Sequence, residues 1–437
     1  MTRLLNWSST ENNNNNAYNV NFSSGNTNNN NKNNTYSVRA VRDFWQTDLF
    51  HQPIPLSDFY SAYADCRKNK RNTCNALAFE IDYERNLQDL YEEVNSARYA
   101  PLRSMAFIIK RPVQREVFAA DFRDRIIHHL LILKLNDEFE RSFIYDSYAC
   151  RIGKGTHFAI RRADHFIRSC SQNYSKDCYV LKLDISGFFM SINRNLLWER
   201  LSKFVEEQYD GRDILVIKYL LNKTVMSDPT KNCYIKGSWR DWNGLPRTKS
   251  LFYSKKNCGL PIGNLTSQVF ANFYMNPFDH FMKHDLHLRY YGRYVDDMII
   301  VHEDIEYLKS IIPRIRNFLK NELGLCLHPN KIYLQHYSKG VKFLGCVIKP
   351  HRIYIANRTK GNLHEAVEKF NNQMSILPYW SRMSLLQHFR SSMNSYLGIL
   401  QHYDTYNIRK KEIYHHMSSR IFNRIAPKQY CRKIVLK

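Results

Sequence analysis

The sequence predicts an α+β fold, because β-prone apolar runs and stretches of helical periodicity both recur along it. The clearest β signal is a pair of β-prone runs, 288–291 and the apolar 298–301, on either side of a polar tip that contains the tetrad 294–297. Two such runs around a polar tip predict a hairpin. A third apolar run, 180–183, predicts a further strand, and the apolar residues of 121–141 recur at helical spacing.

The other elements follow from their ends and their apolar spacing. Asp121 is a typical N-cap for the helix predicted over 121–141. Residues 58–97 also have helical spacing. The inner face predicted there comprises Leu87, Leu90, Tyr91 and Val94. Two short strands are predicted between these helical segments, over 105–110 and 115–120.

Three carboxylates are the candidate catalytic groups. Asp296 and Asp297 are adjacent at the predicted hairpin tip, and Asp184 ends the strand over 180–183. Adjacent carboxylates repel each other, so a fold tolerates them mainly where cations neutralise them. Three that converge from two strands would hold two divalent ions, which assist an in-line phosphoryl displacement. The alternative for the tip alone is a solvated acidic turn.

The charge of the chain predicts a polyanionic partner. The 437 residues carry a formal net charge of +24, and the basic residues are interleaved with 29 Tyr and 25 Phe. This mixture suits phosphate contacts and base stacking. The alternative is a basic surface that serves solubility alone.

The cysteine spacing and the hydropathy pattern indicate the cellular compartment in which the protein acts. The ten Cys occur singly, without the spacing of a zinc site or a disulfide framework. We identify no signal peptide and no long apolar span, so the sequence predicts a cytoplasmic protein with no membrane partner.

With both acidic motifs in this order, the chain resembles a reverse transcriptase, and the resemblance extends through most of residues 72–400. It implies a right-hand polymerase, with fingers and palm over 44–350 and a helical thumb with a basic tail over 351–437. The implied reaction is RNA-templated addition of deoxynucleotides to a 3′-hydroxyl.

The same resemblance implies roles for the acidic residues. Asp184 and Asp296 would ligate two Mg²⁺ ions, with Mn²⁺ as an alternative metal. The Ile185 carbonyl would assist them, and Asp297 would supply nearby charge and complete the metal set.

The resemblance also implies contacts with the nucleotide and the primer. The implied nucleotide-binding residues are Lys110, Arg115, Arg151, Phe189, Ile262, Gly263, Gln268 and Lys331. Phe189 would exclude a 2′-hydroxyl, and Lys331 would lie near the leaving pyrophosphate. For several of these positions a role unrelated to the nucleotide is the alternative. Lys110 would then be a solvated surface charge, and Phe189 would be an ordinary core side chain. The primer grip would be Phe343, Leu344 and Gly345.

One motif indicates which subfamily of reverse transcriptases the chain resembles. Residues 259–268 have Ile262 where most reverse transcriptases have Gln, and Ser267-Gln268 where most have Ser-Pro. This variant resembles the reverse transcriptases of diversity-generating retroelements, which are related to group II intron enzymes. These copy a template-repeat RNA into adenine-mutagenised cDNA that diversifies a target gene.

That subfamily implies particular partners. They are a template-repeat RNA, deoxynucleoside triphosphates, the cDNA in its RNA/DNA duplex, and a small basic oligomeric accessory protein. The alternatives are another reverse transcriptase, intron-encoded or serving phage defence, and a non-catalytic RNA-binding protein.

Residues 1–43 differ in composition from the rest. Fifteen of the first 34 residues are Asn, and such polar low complexity predicts a disordered leader. The segments between the Asn runs resemble strands of a globular domain with Asn at its variable positions. Our hypothesis is that the leader is an in-frame template repeat, because substitution at the two adenines of an Asn codon reaches many residues and never a stop codon.

Overall fold

The computed structural model describes three short segments near the N-terminus and most of the chain from residue 52 onward. The described residues are 5–11, 16–21, 27–31, 52–68, 73–110, 113–378 and 382–437.

Strands and helices alternate through these residues. The strands are β1 (Leu5–Glu11), β2 (Asn16–Asn21), β3 (Thr27–Asn31), β4 (Ser104–Ile109), β5 (Arg115–Ala119), β6 (Tyr179–Leu183), β7 (Cys233–Ile235), β8 (Tyr290–Tyr294), β9 (Asp297–His302), β10 (Tyr333–His336), β11 (Val341–Phe343), β12 (Cys346–Lys349), β13 (Arg352–Ile355), β14 (Ile425–Lys428) and β15 (Lys433–Leu436). The helices are α1 (Leu56–Arg67), α2 (Cys74–Glu80), α3 (Tyr83–Asn95), α4 (Phe122–Ser142), α5 (Thr156–Cys170), α6 (Phe188–Ser191), α7 (Arg194–Gln208), α8 (Ile214–Met226), α9 (Leu265–His280), α10 (Ile305–Leu323), α11 (Asn357–Ile376), α12 (Arg382–Leu400), α13 (Tyr406–Lys411) and α14 (Ser419–Phe422). Two π-helical turns, Phe281–Asp285 and Glu412–His416, follow α9 and α13. The predicted α+β class is confirmed.

The N-terminal strands form a sheet of their own. β1 pairs with β2 and β2 with β3, all antiparallel. These strands lie within residues 1–43, for which the sequence predicts disorder, and the disorder of this segment stays a prediction. The rest of the predicted leader lies outside the described residues.

A central antiparallel sheet has the strand order β10-β6-β9-β8. Side chains alternate between its two faces, because successive residues of a strand point to opposite sides. Leu183 and Met298 are register partners and both enter one core. Val180 and Val301 are also partners, and both enter the other core. The sheet therefore separates two hydrophobic cores and contributes side chains to both.

Helices cover both faces of this sheet. The first core is built mainly from α1, α3, α4 and α7 to α10. The inner face predicted on α3 is confirmed, with Leu87, Leu90 and Val94 buried and Tyr91 packed against them. The second core is built from α5, the sheet β11-β12-β13, α11, α12 and the C-terminal residues.

A further three-stranded sheet combines the two strands before α4 with a strand that follows α8. β4 pairs antiparallel with β5 and parallel with β7. The predicted cap of the following helix is confirmed, because the Asp121 carboxylate accepts from the Arg123 backbone N–H at 3.0 Å. Among the described residues, none of the helices has the length and apolar character needed to cross a bilayer.

Candidate active site

The predicted hairpin is confirmed, and it brings the acidic residues together. Tyr294 and Asp297 are the last paired residues of β8 and β9, so Val295 and Asp296 form the turn. Val295 has a φ of +57°, which is rare for a β-branched residue and locates backbone strain at the tip. Leu183 pairs with Met298, which places Asp184 beside Asp297. The carboxylates predicted from two separate strands thus meet at one end of the sheet.

The carboxylates of Asp184, Asp296 and Asp297 lie close together and are largely shielded from solvent. Burial raises the pKa of Asp296 to about 6, and the charges of Asp297 and Asp184 add to this effect. Burial also raises the pKa of Asp297, although the Lys182 ammonium opposes it. Ionised oxygens in excess of nearby cations are a suitable donor set for hard divalent ions. The residues present therefore fit the metal site predicted from the sequence.

The raised pKa of Asp296 predicts a pH-dependent stability. A carboxyl whose pKa is higher in the folded state stabilises the fold fully below its unfolded pKa, and this stability is lost as the pH rises through about 6. Asn resembles the neutral form. At about 1.4 kcal/mol per pKa unit, and with part of the side chain solvated, we expect Asp296→Asn to gain about 2 kcal/mol of unfolding free energy at pH 8.

This prediction is measured by urea unfolding in the presence of a chelator. The gain should shrink as the pH falls and be near zero at about pH 3, where Asp296 is largely protonated in both the folded and the unfolded state. Asp210→Asn, at an exposed position, is the matched control and should change stability little at either pH. A gain equal at both pH values, or a loss at pH 8, would contradict the electrostatic account.

Two lysines lie against the carboxylates. Lys331 donates from Nζ to Asp184 Oδ2 at 2.5 Å, and this hydrogen bond raises the pKa of Lys331. Lys182 stands two residues before Asp184 and so projects from the same face of β6. Burial lowers the pKa of Lys182, against the opposing effect of Asp297 and Asp184. Lys331 was among the predicted site residues. Lys182 was not, although strand alternation alone would have indicated it.

The backbone at Ile185 is oriented by its neighbours. His328 donates its backbone N–H to the Asp184 carbonyl at 2.8 Å, and Ser186 donates to the Cys326 carbonyl at 2.9 Å. Ile185 and Leu327 form an antiparallel bridge between these two bonds. In such a bridge the middle residue turns its own N–H and C=O to the other side. The Ile185 carbonyl is therefore directed towards the side of β6 on which β9 lies.

A buried ion pair supports the hairpin tip. Arg293 and Asp279 are both fully buried, and Arg293 donates to the two Asp279 oxygens at 2.8 and 2.6 Å. Tyr291 donates its hydroxyl to Asp279 at 2.6 Å. Arg293 also donates from its third guanidinium nitrogen, Nη1, to the Val295 carbonyl at 2.9 Å. The strained turn that carries Asp296 is thus tied directly to a buried charge pair.

A comparison with known families decides the identity of this arrangement. The family model described as reverse transcriptase (RNA-dependent DNA polymerase) matches residues 114–348, more than half of the chain. The chain belongs to this family. Its family activity is RNA-directed DNA polymerisation, and the carboxylates at 184, 296 and 297 all fall inside the matched segment.

The chain is similar to several known members and structures. Protein YkfC of Escherichia coli K12 is 24% identical over 297 residues, which cover 59% of this chain and 70% of YkfC. The putative COX1/OXI3 intron 2 protein of Saccharomyces cerevisiae is 20% identical over 323 residues, 60% of this chain and 34% of that protein. Apo telomerase from Candida tropicalis, truncated from its C-terminal domain, matches with 15% identity and a TM-score of 0.42, over 62% of this chain and 60% of that one. The chain therefore spans only about a third of the intron protein and 60% of the telomerase.

Two residues predicted to lie near the nucleotide share one environment in this reverse transcriptase. Phe189 and Ile262 are half-buried and pack against the same small cluster, formed by Ala106, Phe118, Met190 and Leu251. The Phe189 carbonyl accepts from the Leu260 N–H at 2.9 Å, and the Ile262 carbonyl accepts from the Phe118 N–H at 2.8 Å. The turn before α9 is thus fixed to both the Asp184 segment and β5.

Gly263 is required by protein packing. A Cβ at this position would lie 2.7 Å from Val117 Cγ1 and 3.2 Å from the Phe118 carbonyl oxygen, and the residue has a φ of +122°. Any larger residue would push the turn away from β5 and adopt a strained backbone. Packing against β5 therefore explains this glycine by itself, and its contact with the nucleotide stays a prediction.

Gln268 and Arg151 differ in how they are placed. Gln268 is exposed near the start of α9, and its Oε1 accepts from Cys150 Sγ at 2.7 Å. Arg151 is buried, with its guanidinium bonded to Glu140 and to the carbonyls of Ile144 and Ser147. These bonds use the donors of Arg151 to hold the turn after α4. The contact of Arg151 with the nucleotide stays a prediction.

The strand pair β4 and β5 carries the other predicted cations. Lys110 forms an ion pair with Asp241 at 2.7 Å, and Arg115 is exposed at the start of β5. Arg115 is followed in β5 by a residue that the sequence did not single out. Glu116 is buried and accepts from Trp242 Nε1 at 2.6 Å, the Ser250 hydroxyl at 2.7 Å and the Leu251 N–H at 2.5 Å. Glu116 therefore holds the segment 242–251 against this sheet.

The predicted primer-grip residues form the turn between β11 and β12. Phe343 is buried in the second core and pairs with Cys346. Leu344 and Gly345 have φ values of +46° and +84°, and Gly345 is exposed. Only the turn at 344–345 therefore faces outward, and Phe343 supports it from within.

Proposed function

We propose that this reverse transcriptase copies a template-repeat RNA into adenine-mutagenised cDNA, as part of a diversity-generating retroelement. The observation that carries the proposal is Ile262, an apolar residue on the turn that packs with Phe189. Ser267-Gln268, in place of the usual Ser-Pro, supports the same subfamily.

In this proposal the chain is a right-hand polymerase. The central sheet β10-β6-β9-β8 is its palm, the sheet β5-β4-β7 belongs to its fingers, and α11 and α12 are its thumb. Asp184, Asp296 and Asp297, with the Ile185 carbonyl, would hold two Mg²⁺ ions. The ions supply the positive charge that activates a 3′-hydroxyl and stabilises the triphosphate.

The protein's own groups would orient the reactants. Phe189, anchored through its backbone to Leu260, would lie under the sugar and exclude a 2′-hydroxyl. Arg115, exposed on the fingers sheet, and Lys110 would contact the triphosphate. Lys331 would have to leave Asp184 before it protonates a leaving pyrophosphate, since its Nζ hydrogen-bonds that carboxylate. The net charge of +24 suits the RNA/DNA duplex as product.

The partners are part of the proposal. They are the template-repeat RNA and a small basic oligomeric accessory protein. The Asn-rich residues 1–43 support it, since Asn codons are suited to adenine-directed variation. The second candidate is an intron-encoded reverse transcriptase, favoured by the similarity to the yeast intron 2 protein. Sequencing of the cDNA separates the two, because only the first predicts errors concentrated at template adenines.

We expect Ile262→Gln to lower misincorporation opposite adenine without stopping synthesis. Ile is stiff and forms no hydrogen bonds, whereas the Gln amide can hold a correct pair in register. Ile262 is half-buried, so a Gln amide can reach the open side of the turn. Recovery of about 1.4 kcal/mol of discrimination would lower the error ratio roughly tenfold.

The measurement is sequencing of cDNA made by the purified variant with its RNA and accessory protein. Ile262→Val is the matched control, because it stays apolar and β-branched and should keep the adenine errors. An unchanged adenine error frequency in Ile262→Gln would place the cause of mutagenesis elsewhere. Faithful copying by the unaltered protein would contradict the proposed function itself.

A further inference from the structure

Two histidines and a glutamate lie close together where α11 meets the π-helical turn Glu412–His416. His364 and Glu368 are one turn apart on α11, and His416 ends the π-helical turn Glu412–His416. One ligand atom from each lies within 4.8 Å of the other two. A tetrahedral zinc ion needs separations of about 3.3 Å between its ligand atoms. Small side-chain rotations would therefore close this cluster around an ion.

A buried carboxylate orients one of these histidines. His364 Nδ1 lies 3.2 Å from Glu412 Oε2, and the Glu412 side chain is only 5% exposed. A proton on Nδ1 donates to this carboxylate and leaves Nε2 with a lone pair. This is the arrangement by which carboxylates fix the tautomer and raise the basicity of metal-binding histidines.

The two segments that supply the ligands are held together independently of any ion. Asn371 of α11 donates its side-chain amide to the His416 carbonyl at 2.7 Å, and its amide oxygen accepts from the Ser418 N–H at 2.9 Å. The π-helical turn also departs from regular helix at this point, as helices frequently do at functional sites. The backbone is therefore already organised around the cluster.

Solvent can reach the cluster from one side. A groove of about 490 Å³ runs along α11, and its lining includes His364, Glu368, Asn372 and Ile376. Three protein ligands beside an open groove leave a fourth position for water. Nitrogen ligands select zinc or a similar first-row transition ion, since Mg²⁺ and Ca²⁺ prefer oxygen alone.

We propose that His364, Glu368 and His416 bind one zinc ion, which fastens α11 to the C-terminal segment. Glu412 acts as the positioning residue of His364. The site is chemically different from the acidic polymerase site and does not depend on which RNA the protein copies.

The test is zinc binding to the full chain by calorimetry, with millimolar Mg²⁺ present so that the acidic site is occupied. We expect one zinc per chain and a rise in melting temperature on its addition. His416→Gln and Glu368→Gln should each weaken binding by at least tenfold and abolish the rise. His415→Gln, at the adjacent exposed residue, should bind zinc like the unaltered protein. Glu412→Gln should weaken binding about tenfold.

Cobalt gives an independent readout. Co²⁺ bound to the full chain should show the visible absorption of a four-coordinate ion, and His416→Gln should lose it. Exposed Glu368 serves as the second variant if His416→Gln fails to fold. Equal zinc affinity in the unaltered protein, Glu368→Gln and His415→Gln would overturn the proposal, as would the absence of binding in the unaltered protein.

Discussion

Replacement of Asp184 or Asp296 by Asn is expected to abolish DNA synthesis and to leave RNA binding nearly unchanged. Each substitution removes a fixed carboxylate oxygen at the end of the central sheet. Loss of about 4 kcal/mol of transition-state stabilisation would slow synthesis about a thousandfold. RNA contacts depend instead on many of the 64 Lys and Arg residues.

Primer extension on an RNA template measures the first effect, and fluorescence anisotropy with the same RNA measures the second. Asp210→Asn is the matched control, because it removes an equal charge from an exposed position. Synthesis by Asp184→Asn or Asp296→Asn at more than a tenth of the normal rate would rule out the assignment of these carboxylates.

The second large effect is expected at Arg293. Arg293→Met would leave Asp279 fully buried and without its cation, which typically costs about 3 to 5 kcal/mol of unfolding free energy. It would also remove the donor to the Val295 carbonyl. We therefore expect both a less stable protein and a misaligned Asp296.

A double variant separates these two consequences. Arg293→Met combined with Asp279→Leu removes the whole ion pair, and apolar replacement of a buried pair often restores stability. The Val295 carbonyl would still lack its donor, so synthesis should remain low while urea unfolding returns towards normal. Full recovery of synthesis in the double variant would show that Arg293 stabilises the fold and does not position the turn.

The elements around the acidic site could be predicted because their signals are local. Apolar alternation and a polar tip specify a hairpin, and an Asp before an amphipathic run specifies a helix start. The N-cap at Asp121 and the meeting of Asp184 with the hairpin tip follow from such signals.

The roles of several charged residues could not be predicted, because their partners are distant in sequence. Arg293 follows a Gly in a β run and gives no sign that Asp279 buries it. Glu116 stands next to Arg115 at the start of a short strand, and its partners lie more than 120 positions away. The resemblance implied a nucleotide contact for Arg151, but nothing in the sequence indicates its ion pair with Glu140 on the preceding helix. Only the three-dimensional arrangement distinguishes such internal pairs from exposed binding groups.

The position of β6 and β9 between two hydrophobic cores restricts the insertions and deletions that this enzyme can tolerate. Because successive residues of these strands enter different cores, an insertion or deletion of one residue before Asp184 would exchange the two faces. The aspartate would enter the first core, and Leu183 or Ile185 would take its place beside the hairpin tip. Selection should therefore remove length changes in residues 179–184 and 297–302. Relatives of this chain should keep the spacing from each of these strands to its aspartate.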